Sequence, residues 1–203
     1  MANLARVGRD RFEGAIAGVG STSGVRVVVG RWASSPLGDF ADVMVALPTG
    51  ERLLLAPSER VAQYVGSTYS FDRVVVGPVA VTDDWQVSAP GLSLRLELGR
   101  RTPLGWLLRA QPRALATSPG WTRITDPAAR LVLRGVRTRG TAGGGRREFY
   151  GATDLHRVTA ISGSWQGTDL GALAPVTPEP RFGFGSTPRR PSVTAIVSTV
   201  ERV

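Results

Sequence analysis

The sequence predicts a mainly β (α+β) chain: an antiparallel β-barrel or sandwich of about ten strands with a few short helices, in one domain over residues 1–203. Three observations carry this expectation. β-branched and aromatic runs recur along the whole chain, and most are joined by short turns. One run, Leu92–Leu98, alternates strictly, with Leu92, Leu94, Leu96 and Leu98 separated by Ser93, Arg95 and Glu97. Repeats of 20–50 residues and low-complexity stretches do not occur, and no linker argues for two domains.

Taken in order, Asp10–Gly18 reads as a short amphipathic helix. Phe12, Ile16 and Val19 fall at i, i+4 and i+7, and Asp10 and Glu13 have capping-box spacing. Gly24–Trp32 is a β-branched strand. The next strand, FADVMVALP, turns back through Pro48-Thr49-Gly50-Glu51 into RLLLAP, a hairpin with suitable turn residues. Pro57 opens a helix, SERVAQYV, with Val61, Ala62 and Val65 on one face and Gly66 past its end. Strands resume over Arg73–Thr82, in DWQVSA and in the alternating leucine run.

A helical insertion is expected near 102–134. Thr102-Pro103, Ser118-Pro119 and Asp126-Pro127 each place a capping residue before a first-turn proline. PLGWLLRA and PAARLVLR are the helices they would start. Beyond this block, two β-like runs flank Gly143–Gly145, which predicts a long hairpin over about 130–167. A proline-rich loop follows, and SVTAIVSTVERV closes the chain as an alternating strand.

Composition excludes more than it assigns. All 25 basic residues are arginine, so lysine Schiff bases and the lysine of a phosphate-binding P-loop are absent. With no cysteine and one histidine, His156, thiol nucleophiles, disulfides and multi-histidine metal sites are excluded too. No metal or cofactor is predicted. The formal charge of +9 suits nucleic acid, an anionic surface or an acidic ligand, and equally a solvated arginine-rich surface. No apolar run approaches the ~18–20 residues that a helical membrane span needs. Arg6, Arg9, Asp10, Arg11 and Glu13 interrupt any leader-like segment, so a cytoplasmic location is the default expectation.

Motifs for nucleotide binding or serine hydrolysis fail on context. Gly18-x-Gly20 lies before a strand, Gly183-x-Gly185 lies in the proline-rich loop, and Gly20–Gly24 has threonine where a serine nucleophile would stand. Asp154 and His156 are two apart on a strand, so they share a face, and a carboxylate there would orient and activate the imidazole. The structural alternative is a turn cap beside a histidine at a strand edge. Arg137 and Arg139 alternate on one face, Arg146 and Arg147 follow the glycine tip, and Arg157 is near. Guanidinium groups bind carboxylate and phosphate bidentately. With Phe149, Tyr150 and Trp165 interleaved, the pattern also fits single-stranded nucleic acid; charged edges that block sheet aggregation are the plain alternative.

Gly30-Arg31-Trp32 resembles the G-x-W motif near the start of lipocalin or calycin barrels, and the Trp165–Thr168 turn suits such a barrel. The resemblance covers three residues; it implies a β-barrel that binds a small apolar ligand. The chain departs from that pattern in the strand before Gly30 and in the helices near 57–66 and 102–134. Three readings stand. The first is a soluble binding protein for a small, partly apolar or anionic ligand, with Trp32, Tyr150 and Trp165 as wall and Arg137, Arg139, Arg147 and His156 as anchors. The second is nucleic-acid binding through the arginine-rich hairpin 134–157. The third is proton-transfer catalysis by Asp154 and His156, with Glu148 or Tyr150. The sequence favours binding over catalysis and leaves the oligomeric state open.

Overall fold

The structure is a computed structural model, and it describes residues 9–112, 139–142, 146–183 and 187–202. Thirteen strands and two helices occur among these residues. The first half of the chain builds a meander of β1 (Arg9–Ser21), β2 (Arg26–Ser34), β3 (Phe40–Ala46) and β4 (Arg52–Ala56). Helix α1 (Glu59–Gly66) then crosses over, and β5 (Arg73–Val76) pairs parallel to β4. Strands β6 (Ala80–Val81), β7 (Gln86–Ala89) and β8 (Leu92–Arg101) precede helix α2 (Pro103–Ala110). The remainder is β9 (Arg139–Ala142), β10 (Arg146–Trp165), β11 (Thr168–Asp169), β12 (Leu173–Ala174) and β13 (Ser192–Arg202).

One sheet holds all thirteen strands; ten follow the order β5-β4-β3-β2-β1-β13-β10-β8-β7-β6, while β9 and β11 pair with β10 and β12 pairs with β1. It is curled into a half-barrel. Strand β10, with 20 residues, is the hinge of that curl. Its first half pairs with β13 and its second half with β8, and its register shifts at Ala152/Asp154, His156/Val158 and Val158/Ala160. Each bulge bends a strand and sharpens its twist. The curl brings residues far apart in strand order into one cluster: Val27, Val43 and Leu55 from β2–β4 meet Val87, Leu94 and Trp165 from β7, β8 and β10.

The outer face of β1–β4 is also covered. Leu53, Leu54 and Leu55 on β4 are each at most 1% exposed, because Leu53 and Leu55 face the inner cluster and Leu54 packs beneath α1. A strand buried on both faces reads as an unbroken apolar run, as RLLLA does. Helix α1 starts where Ser58 accepts a hydrogen bond from the Val61 amide, one residue after the proline that signals it. It docks with Val61, Ala62 and Val65, the three residues its periodicity selects. No helix among the described residues is long and apolar enough to cross a membrane.

Most expected strands form, including the alternating β8, the closing β13 and the β9–β10 hairpin on either side of residues 143–145. The expected helix over Asp10–Gly18 does not; this segment is β1, paired to β2 on one side and β13 on the other. Long-range pairing overrides a helical pattern that was also a strand pattern. Ala15, Ala17 and Val19 belong to the inner cluster, whereas Phe12 and Ile16 face the other side. Gly14 allows the close approach, since a Cβ there would lie 2.0 Å from the Arg31 carbonyl oxygen. PLGWLLRA forms α2 with Thr102 as its cap, and the second expected helix of the insertion, PAARLVLR, lies outside the described residues.

Two substitutions separate the layers. Leu54→Ala should cost about 2–5 kcal/mol in urea unfolding, the range for truncating a sealed leucine, and Ser58→Ala about 1 kcal/mol through loss of the cap. A Leu54→Ala loss below about 1 kcal/mol would contradict the packing of α1 on β4.

Candidate functional site

Because side chains alternate across a strand, the residues that do not enter the inner cluster converge on the outer face. Phe12 and Ile16 from β1, Val28 and Trp32 from β2, Phe40, Asp42 and Met44 from β3, and Glu148, Ser198 and Val200 from β10 and β13 form a floor. Tyr64 and Val65 of α1, with Thr68 and Tyr69 after it, form the roof. Between them is a cavity of about 50 Å³. The Tyr64 hydroxyl donates to Asp10 Oδ2 at 3.0 Å, tying the helix to the first strand.

Two buried carboxyl groups line this mostly apolar space. Asp42 is 2% exposed, and its Oδ1 accepts a hydrogen bond from Trp32 Nε1 at 3.0 Å. Burial pushes its pKa up to about 7, against the smaller opposing effect of the indole hydrogen bond. Gly30 makes this bond possible. It stands opposite Asp42 in the β2–β3 register, and a Cβ there would lie 2.5 Å from Asp42 Oδ1 and 2.7 Å from Trp32 Nε1. The Gly-x-Trp motif at 30–32 thus has a local physical cause.

Glu148 is 4% exposed and accepts from Ser198 Oγ at 2.7 Å and from the Tyr69 hydroxyl at 2.9 Å. The Tyr69 and Tyr150 hydroxyls are 2.5 Å apart. Burial raises the Glu148 pKa, and hydrogen bonds from Ser198, Tyr69 and Tyr150 only partly offset it. Both phenols are held well above their ordinary range, first by burial and then by the negative charge of Glu148. The cluster can donate to or accept from a small group in the cavity, and its two carboxyls favour a ligand that is not an anion.

An open groove of about 890 Å³ adjoins the cavity. Trp32 and Phe40 line both spaces. Arg31, Leu37, Asp39 and Val81 line the groove on its other sides, and Arg31 is ion-paired with Asp83.

Of the residues singled out in the sequence, Trp32 and Tyr150 are at this site, and so is Glu148. Trp165 lies in the inner cluster, on the other side of the sheet. Asp154 and His156 are elsewhere, where β10 meets α2. There Arg101 Nε contacts both Asp154 oxygens at 2.8 and 3.0 Å, and His156 Nε2 lies 3.7 Å from Asp154 Oδ2, beyond hydrogen-bond range. Desolvation works to raise the Asp154 pKa, but hydrogen bonds from Arg101 and the Leu155 amide, with the Arg101 charge, hold it below the usual range. His156 Nδ1 is 3.3 Å from the Gly99 carbonyl oxygen. The carboxylate here faces arginine in an ion-pair corner. Arg139 is placed opposite Phe149, and Arg147 opposite Thr141 and Glu201; Arg137 lies outside the described residues.

Asp42, Tyr69 and Ser198 were not singled out by sequence. For Asp42 a signal exists: in FADVMVA it sits on the same period-two face as Phe40 and Met44. An acid on an apolar strand face implies either a wet face or a buried site. Tyr69 reaches the site only through the turn after α1 and carries no such mark.

The chain matches no protein-family model, and neither the curated proteins nor the solved structures yield a match.

Gly30→Ala should break the Asp42–Trp32 contact and cost about 1–3 kcal/mol, with an accompanying change in tryptophan fluorescence; a neutral result would contradict the close approach. Stability should also depend on pH through Asp42. Its folded pKa of about 7 exceeds the unfolded value of about 3.9, so the folded chain keeps a proton that the unfolded chain releases. That contribution is full below about pH 4 and is lost as pH rises to about 7, by on the order of 4 kcal/mol. Glu148 acts with the same sign. Urea unfolding should therefore show falling stability from pH 4 to 8, with a shallower fall in Asp42→Asn; identical slopes in the two proteins would contradict a desolvated Asp42.

Proposed function

We propose that this chain is a binding protein for a small, partly apolar molecule, and that the ligand enters the cleft between α1 and the outer face of the sheet. The observation that carries this reading is the cavity itself: an aromatic and aliphatic enclosure with a few convergent polar groups, the usual composition of a small-molecule site. The adjoining groove, which shares Trp32 and Phe40 with it, gives a ligand larger than the cavity somewhere to extend.

The half-barrel and Gly30-x-Trp32 support a calycin-like relationship in architecture. The binding mode differs from that of a barrel holding its ligand within, since the inner face here packs Val27, Val43, Leu94 and Trp165 together. Catalysis by Asp154 and His156 finds little support in an aspartate held by Arg101.

An NMR titration of methyl and indole signals with a panel of small amphiphiles tests the reading. Shifts should concentrate on Ile16, Val28, Trp32, Met44 and Val65. Shifts at Val43, Leu94 and Trp165 would place the ligand inside the curl instead, and a panel without any response would remove the binding reading.

A further inference from the structure

We propose that the cavity beneath α1 takes a small organic cation, an alkylammonium head group, with its charge against Asp42 and its alkyl groups against the surrounding rings. This rests on the reading of the cavity as a ligand site and adds the chemical class of the ligand. Five aromatic side chains line the cavity: Phe12, Trp32, Phe40, Tyr64 and Tyr69. Phe12 is the hub of the first four, with ring centroids 5.7 Å from Trp32, 6.4 Å from Phe40 and 5.2 Å from Tyr64. Aromatic rings attract ammonium groups through their negative faces, most strongly where water is excluded, and aromatic enclosures are a recurring solution for alkylated ammonium ions.

The buried carboxyl groups set the sign of the ligand's charge. Asp42 lies in the cavity wall at 2% exposure. Its hydrogen-bond partner is the Trp32 indole, and among the described residues it has no ion pair. A desolvated carboxylate with one neutral donor is poorly compensated, and an ammonium ion supplies the missing charge. An anion would face Asp42 and Glu148 together. A neutral hydroxyl would gain a hydrogen bond without relieving the charge.

Size sets the head group. A water molecule needs roughly 10–15 Å³ of such space, so a cavity of about 50 Å³ has room for about four non-hydrogen atoms. Isopropylammonium and trimethylammonium have that size. A longer substituent would have to leave past Trp32 and Phe40 into the groove, so the natural ligand is either a small amine or a larger molecule bearing one.

Three probes of four non-hydrogen atoms, differing in charge, test the proposal on the full chain at pH 8: isopropylammonium, isopropanol and acetate. Titrations are followed by NMR at Ile16, Val28, Trp32 and Met44. Isopropylammonium should bind at least tenfold more tightly than isopropanol, acetate should not bind, and the tenfold margin should vanish in Asp42→Asn while isopropanol binding persists. Should Asp42→Asn fail to fold, the charge series on the unmodified chain decides alone. Isopropanol or acetate binding as tightly as isopropylammonium overturns the cation assignment and leaves the ligand site standing. If none of the three probes perturbs the cavity residues, the ligand-site reading falls and takes the assignment with it.

Discussion

Burial of one sheet on both of its faces is the constraint on which the rest of this structure depends. Strands β1 to β4 lie between the inner cluster, where Val27, Val43 and Leu55 meet the far end of the curl, and the outer layer formed by α1 and the segment around Phe182. A strand has two faces and no third. A polar residue under both layers is buried on one side or the other, and it keeps its place only with partners. Asp42 on β3 is 2% exposed for this reason, and Glu148 on β10 and Ser198 on β13 are buried beside it beneath the same outer layer. The helix that completes the hydrophobic layer also seals the acids.

The chemistry follows from that seal. Glu148 has neutral hydroxyl donors on both oxygens, from Ser198 and Tyr69, whereas Asp42 has the Trp32 indole. In neither case does a hydrogen bond fully offset desolvation, so both groups titrate above the ordinary carboxylate range. The Arg101–Asp154 corner shows the opposite solution in the same molecule: there a guanidinium faces the carboxylate, and its pKa falls. The contrast separates an ion pair that joins β8 to β10 from a site in which, among the described residues, the carboxyl groups have no cation beside them.

Much of the fold was legible because it rests on short-range pattern. The alternation of β8, the capped and amphipathic α1 and the turn at Pro48–Glu51 are local signals, and local signals can be read from a single chain. The segment from Asp10 to Gly18 failed for a related reason. Phe12, Ile16 and Val19 fit a helical face, while Ala15, Ala17 and Val19 fit a strand face, and only the presence of β2 and β13 on either side decides between them. The site was less legible than the fold. Trp32, Glu148 and Tyr150 were visible as residue types, but the site joins β1, β2, β3, β10, β13 and the turn after α1, and no spacing in the sequence encodes that convergence. Arginine density and the lone histidine drew attention to the β10 region. The arginines carry the net charge of the chain, whereas the enclosed pocket is marked by two acids.

The site beneath α1 depends most on Asp42 being a desolvated carboxyl group rather than an exposed or ion-paired one. The direct measurement is the pH titration of its side-chain ¹³C carboxyl resonance in the intact protein, assigned by comparison with Asp42→Asn. A midpoint near 7 is the result expected of the buried group. A midpoint near 4, the ordinary value for aspartate, would mean that water or a cation reaches the carboxylate, and the sealed site beneath α1 would not exist as described.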